Sequence, residues 1–249
     1  MTSLAFDARL AVAHASATTL MLLRHPAYVV PTALFPAMFF LFFAAGARGP
    51  LGTIAMCSFA SFAVIGVAFF QFGLGVANDR VSPWETYLRT LPAGPGTRVT
   101  ARVLSAFVFG AAAAALVAVA AVSASAASLP PRGYAELALV LVASLVTFGL
   151  FGVALGYWTT PRSALPLANL LYLVLSYAGG LWMRPARLPG AVEAISRFLP
   201  TRWIAELSLG VARGSPWRAS DWLGLAVFAT VFAAAAIAGY RRDEGQRFR

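Results

Sequence analysis

The sequence contains no lysine. All 19 of its basic residues are arginine. A phosphate-binding P-loop closes on Gly-Lys-Ser/Thr, so this chain cannot hold one, and any ATP that drives it must bind another subunit. Charged residues are also scarce, at 11% against roughly 25% in a typical soluble domain. With 60% of residues hydrophobic and a mean hydropathy of +0.76, a water-soluble globule of this length would lack the polar side chains to cover its outside. The single cysteine, Cys57, cannot form an intramolecular disulfide. Two histidines, His14 and His25, with one apolar-run cysteine do not make a zinc site. What remains is an integral membrane protein.

Six apolar runs are long enough, at 1.5 Å per residue, to cross a hydrocarbon core. They cover about Tyr28–Ala45, Thr53–Ala77, Val103–Ala127, Leu137–Tyr157, Ser163–Met183 and Trp222–Tyr240. Each ends at Gly, Pro or charge, and none carries a charged residue in its middle. The net charge of +10 comes from arginines at the ends of these runs. That placement points to anionic headgroups and topology control rather than to nucleic acid. An even number of spans puts both termini on one side. Termini inside give eleven inner arginines against eight outer ones, six of the eight in the single stretch Arg184–Ser220. The positive-inside rule and the basic tail after Tyr240 therefore place both termini in the cytoplasm. An all-arginine composition suits a GC-rich bacterial genome, and hence a multi-pass protein of the bacterial inner membrane. One membrane domain over 1–249 is expected.

The first 25 residues are no span. Phe6, Leu10, Ala13, Ala17 and Leu20 recur at helical spacing, with Asp7, His14 and Thr18 on another face. This pattern predicts an amphipathic helix lying in the inner interface. Pro31 and Pro36 then fall in the first half of the first run, where proline kinks a membrane helix.

Between the second and third runs, Ser82 is a helix N-cap, Pro83 suits the first helical position, and Glu85 completes a capping box. Arg89 sits in the last turn, where it complements the dipole, and Pro92 and Gly94 stop the helix. The two-turn helix so defined shows Trp84, Tyr87, Leu88 and Leu91 on one side. They must be buried against lipid, the spans or a partner protein.

The stretch 184–220 carries two further helical patterns. Val192, Ile195 and Leu199 form one; Trp203, Ile204, Leu207 and Val211, after Pro200, form the other. Helices of roughly 13–17 Å cannot cross a bilayer. Either a hairpin dips into the outer leaflet or a helical cap lies flat outside it. In the fourth run Gly152 and Gly156 make a GxxxG, with Gly149 beside it, and form a close-packing face within or between subunits.

Catalytic groups are missing. The runs hold no Asp, Glu, His or Arg for proton coupling. Ser144, Ser176 and Tyr177 have no base beside them, and their hydroxyls are expected to bond back to helix carbonyls. The chain is not expected to be an enzyme or to hold a cofactor or metal.

Taken in order, these parts resemble the membrane subunit of an ABC-2 type, type V exporter-like, transporter. The likeness covers nearly the whole chain: an interfacial helix ending in Arg24-His25-Pro26, six spans, a first cytoplasmic loop and a last outer loop broken at Leu199-Pro200. The family's loop pattern is matched by Asp79-Arg80, Glu85-Thr86, Leu88 and Thr90-Leu91-Pro92. Glu85 stands where the family usually has Gly, and the capping box accounts for it. The resemblance implies a coupling helix at about Pro83–Thr90, docked in a cleft of a separate ATPase subunit. Trp84, Tyr87 and Leu88 would be buried there, with Glu85 and Arg89 at the rim. It also implies two permease copies, identical or related, and two ATPase copies holding ATP and Mg, with a translocation path at the permease dimer interface. Export of an amphipathic cargo (drug, lipid or lipid-linked glycan) is the expected function. An ATP-independent transporter or a membrane scaffold is the competing reading, and it would tolerate polar residues in the loop.

Overall fold

The computed structural model describes residues 2–83 and 95–247, and they form an all-helical bundle with no strand among them. The helices are α1 (Thr2–Leu23), α2 (residues 26–44), α3 (Pro50–Asp79), α4 (Pro95–Ser125), α5 (Pro131–Trp158), α6 (Pro161–Ala178), α7 (Gly190–Ser196), α8 (Pro200–Arg213) and α9 (Ala219–Arg247). Four of them, α3, α4, α5 and α9, are long and apolar enough to cross a membrane.

The bundle is built around α3. Every residue from Met56 to Gly73 is buried, as expected of a helix with no polar face. α4, α5, α8 and α2 pack around it, and its later turns also meet α6. α9 packs along α5, and α1 along α4. Aromatic rings fill the spaces between layers. Phe62 stacks on Tyr172 at 4.4 Å, and Phe151 stacks on Phe232 at 4.3 Å.

Two π-helical stretches interrupt the bundle. The first, Val30–Leu34, has Pro31 within it and Pro36 just beyond. Proline lacks an N–H and crowds the carbonyl four residues back, which a wider turn relieves. Here the Phe35 amide donates to the Val30 carbonyl, and the Thr32 hydroxyl donates to the Tyr28 carbonyl at 2.6 Å. The second, Phe69–Leu74, contains no proline. It lies where α3 meets the glycines of α5.

One expectation from the sequence needs correction. The fifth run does not continue as helix to Met183. α6 ends at Ala178, because Gly179 passes so close to Thr201 that a Cβ there would lie 2.1 Å from its hydroxyl oxygen, and Gly180 takes φ +89°. The chain then turns back, and Leu181 is fully buried. Among the described residues, the buried positions of α1 are Ala11 and Ala15, with Thr19 donating to Ser105 at 3.1 Å. Small residues allow the backbones to approach, and Ala13, Ala17 and Leu20 face away from the bundle.

Candidate functional site: the inner loop base and the helix interface

Of the residues expected in the coupling helix, Trp84, Glu85, Tyr87, Leu88 and Arg89 lie outside the described residues. Ser82 and Pro83 are described. The Ser82 amide donates to the Asp79 carbonyl at 3.1 Å, and Pro83 is helical.

The two ends of this loop are held by charge. Asp79, at the end of α3, pairs with Arg102 near the start of α4. The neighbouring Arg80 turns the other way. Its Nε donates to the Asp243 carboxylate at 2.8 Å, and one terminal nitrogen donates to the carbonyls of Gly156, Tyr157 and Thr159 at 2.9, 3.0 and 3.1 Å. The guanidinium also lies 5.6 Å from the Tyr157 ring centroid. The last carbonyls of a helix have no intrahelical donor, and the C-terminal end of its dipole favours a cation. Arg80 thus caps α5 and ties it to α9. Around it, Arg242 stacks over Trp158, and the Trp158 indole donates to the Ala235 carbonyl at 3.0 Å. Gly239 permits the contact, since a Cβ there would lie 2.7 Å from Tyr157 Cβ. Four helices therefore converge on the loop base. From the sequence Asp79-Arg80 is a loop pair without a partner. Asp243 lies 163 positions from Arg80, beyond any local spacing rule.

The glycines of α5 pack inside the chain, against the second π-helical stretch and the turn after it. Gly149 faces the Phe72 ring. A Cβ on Gly152 would stand 3.0 Å from the Ala68 carbonyl oxygen and the Gly73 nitrogen. One on Gly156 would lie 2.7 Å from Val76 Cβ and 2.8 Å from the Gly73 carbonyl oxygen.

At the far end, α7 and α8 meet at Leu199-Pro200, with Pro200 buried. Ile195 is 62% exposed, whereas Ile204 is fully buried. Trp203 is half-buried over Gly224 of α9. α8 reaches far down α3: the hydroxyls of Ser208 and Ser61 pair at 2.9 Å, and Thr201 donates to the Leu175 carbonyl at 2.6 Å. Within the bundle, Tyr28 donates to the Gln71 carbonyl oxygen at 3.2 Å, while the Gln71 amide nitrogen and the Tyr172 hydroxyl have no partner among the described residues. Ser144 bonds back to the Val140 carbonyl at 2.7 Å as expected, but Ser176 does not, and its hydroxyl is buried without a partner.

Among the described residues, four helices long and apolar enough to cross a membrane, packed with further apolar helices, are what a multi-pass membrane protein is built from. The chain belongs to the ABC-2 type transporter family, whose model matches residues 12–212. It is also 20% identical over 159 residues to YvfS, a protein of Bacillus subtilis (strain 168) provisionally described as a transport permease. That match covers 64% of this chain and 65% of the relative, so the chain spans just under two thirds of the relative's length. No solved structure matches the chain. ABC-2 permeases pair with ATPase subunits.

Proposed function

We propose that the chain is the membrane-spanning subunit of an ATP-driven exporter of the bacterial inner membrane, with both termini cytoplasmic. In this reading α2 and α6 join the four longer helices to make six spans, α1 lies in the inner interface, and α7–α8 form a hairpin entering from the outer side. α6 is 18 residues long, or roughly 27 Å, close to the thickness of a hydrocarbon core.

The observation that carries the reading is the loop base. The helix expected at 83–90 would sit on a segment whose ends are fixed by Asp79–Arg102 and Arg80–Asp243. A push on that helix is therefore delivered to α3, α4, α5 and α9 together. Trp84, Tyr87 and Leu88 supply the apolar face for a cleft in an ATPase subunit, with Glu85 and Arg89 at its edge. Two permease copies and two ATPase copies complete the assembly. ATP and Mg belong to the ATPase. Spans without charged residues at mid-depth suit an amphipathic cargo better than a small ion.

The test is co-expression with ATPase subunits encoded nearby, followed by pull-down and ATP hydrolysis. Wild type should bring down an ATPase. Trp84→Asp/Leu88→Asp should lose it while inserting normally. Retention of the ATPase by the double variant would sink the coupling assignment.

A further inference from the structure

At the end of the bundle opposite the inner loop lies a cavity of about 260 Å³, open on one side. It is formed where α2 ends, α3 begins and the chain returns after α6. Phe43, Leu51, Ile54, Phe59 and Trp182 line its walls, and Arg184 and Arg187 stand at its rim. Among the described residues neither guanidinium has a hydrogen bond or an ion pair. Of the other arginines at this end, Arg132, Arg197 and Arg202 pair with Glu136, Glu193 and Glu206, whereas Arg48, Arg213 and Arg218 have no ion pair among the described residues but lie outside the groove. The volume is below the roughly 300–1,000 Å³ that encloses a whole small-molecule ligand. An open apolar slot of that size takes one part of a longer molecule.

We propose that this groove binds an anionic phospholipid, with an acyl chain against Phe43, Leu51, Ile54, Phe59 and Trp182 and the phosphate between Arg184 and Arg187. Charge complementarity selects the headgroup, because two unpaired cations at the mouth of an apolar slot have no counter-ion among the described residues. The walls select a lipid over free phosphate, which would use none of them. Arginine forms bidentate contacts with phosphate oxygens, and each basic side chain near a membrane surface favours anionic lipid by about fivefold. The inference rests on the bundle lying in a membrane with this end at headgroup level. It does not rest on ATP coupling, and its test contains no ATPase.

Trp182 is a reporter built into the wall. The purified chain is reconstituted in nanodiscs with trace brominated phosphatidylglycerol or brominated phosphatidylcholine, both bearing bromine on the acyl chain. The Trp182 contribution to quenching is isolated by difference from Trp182→Phe, since the chain has six tryptophans. Brominated phosphatidylglycerol should quench Trp182 at lower mole fraction than brominated phosphatidylcholine. Arg184→Gln/Arg187→Gln should lower that preference by about tenfold or more. Arg213→Gln/Arg218→Gln, which removes two arginines at the same end outside the groove, should leave it unchanged. Ala55→Phe, which fills the slot, should reduce quenching by both lipids.

Equal quenching by the two lipids would overturn the proposal, as would a preference that survives Arg184→Gln/Arg187→Gln. Absence of any Trp182 quenching would also overturn it, showing the groove closed by a second copy or another protein. Competition by soluble glycerol phosphate at the concentration of the lipid would reduce the site to a headgroup contact and overturn the lipid assignment.

Discussion

The guanidinium of Arg80 meets three carbonyl oxygens at the end of α5 and a carboxylate of α9 at the same time. Its side chain is 21% exposed and that of Asp243 13%, so both groups are largely withdrawn from water and losing this contact is costly to each. Arg80→Ala should cost about 3 kcal/mol, because a mostly buried carboxylate and three helix-end carbonyls lose their donor together. Asp243→Asn should cost less, about 1–2 kcal/mol, since the carbonyls still neutralise the dipole end and the amide oxygen still accepts. Arg80→Lys should fall near the alanine variant, because one ammonium cannot reach both sets of acceptors in the fork geometry. Thermal unfolding in detergent orders the three. If Asp243→Asn were as damaging as Arg80→Ala, the ion pair rather than the cap would be what holds α5.

Glycine acts between elements where arginine acts at their ends. α5 approaches α3 so closely that Gly156→Ala drives a methyl to 2.7 Å from Val76 Cβ and 2.8 Å from a backbone oxygen of Gly73. Backbone cannot swing aside as a long side chain can. Gly156→Ala should therefore destabilise the bundle by about 1–3 kcal/mol. Gly46→Ala, in a turn with nothing within 4 Å of the new carbon, should be close to neutral. The two melting temperatures, compared in one detergent, check the pair.

The same contrast explains what could be read at this scale from sequence alone. Long apolar runs bounded by Gly, Pro and Arg located α3, α4, α5 and α9, because length and hydropathy are local properties. The end of α6 was not legible. Leu181-Trp182-Met183 is as apolar as the helix before it, and only the approach of Thr201 to Gly179, 22 positions apart, makes that point a turn. The side of α1 that meets the bundle was not legible either. Pattern rules weight leucine above alanine, whereas close helix packing selects Ala11 and Ala15. Gly149, Gly152 and Gly156 were legible as a packing face, but their partner on α3 was not, because spacing along one helix does not name the helix it meets. The loop helix expected at 83–90 rests on capping rules, and its residues from Trp84 onward lie outside the described residues.

For the whole molecule, the proposed function requires one arrangement across the membrane: the 83–94 loop and both termini on one side, the 46–49 turn and the 184–220 segment on the other. The chain offers a clean way to examine this. Its one native cysteine, Cys57, is fully buried, and a thiol so enclosed does not react with soluble reagents. Wild type in intact bacterial cells should therefore stay unlabelled by a membrane-impermeant maleimide. Gly46→Cys and Gly190→Cys, each with open space around the new side chain, should label in intact cells. His25→Cys, exposed at the junction of α1 and α2, should label only after the membrane is opened. If His25→Cys labels in intact cells while Gly46→Cys does not, the bundle is inverted. Trp84, Tyr87 and Leu88 would then face away from any cytoplasmic ATPase, and no rearrangement within the loop could restore the coupling, because Asp79–Arg102 and Arg80–Asp243 fix its base to that end of the bundle.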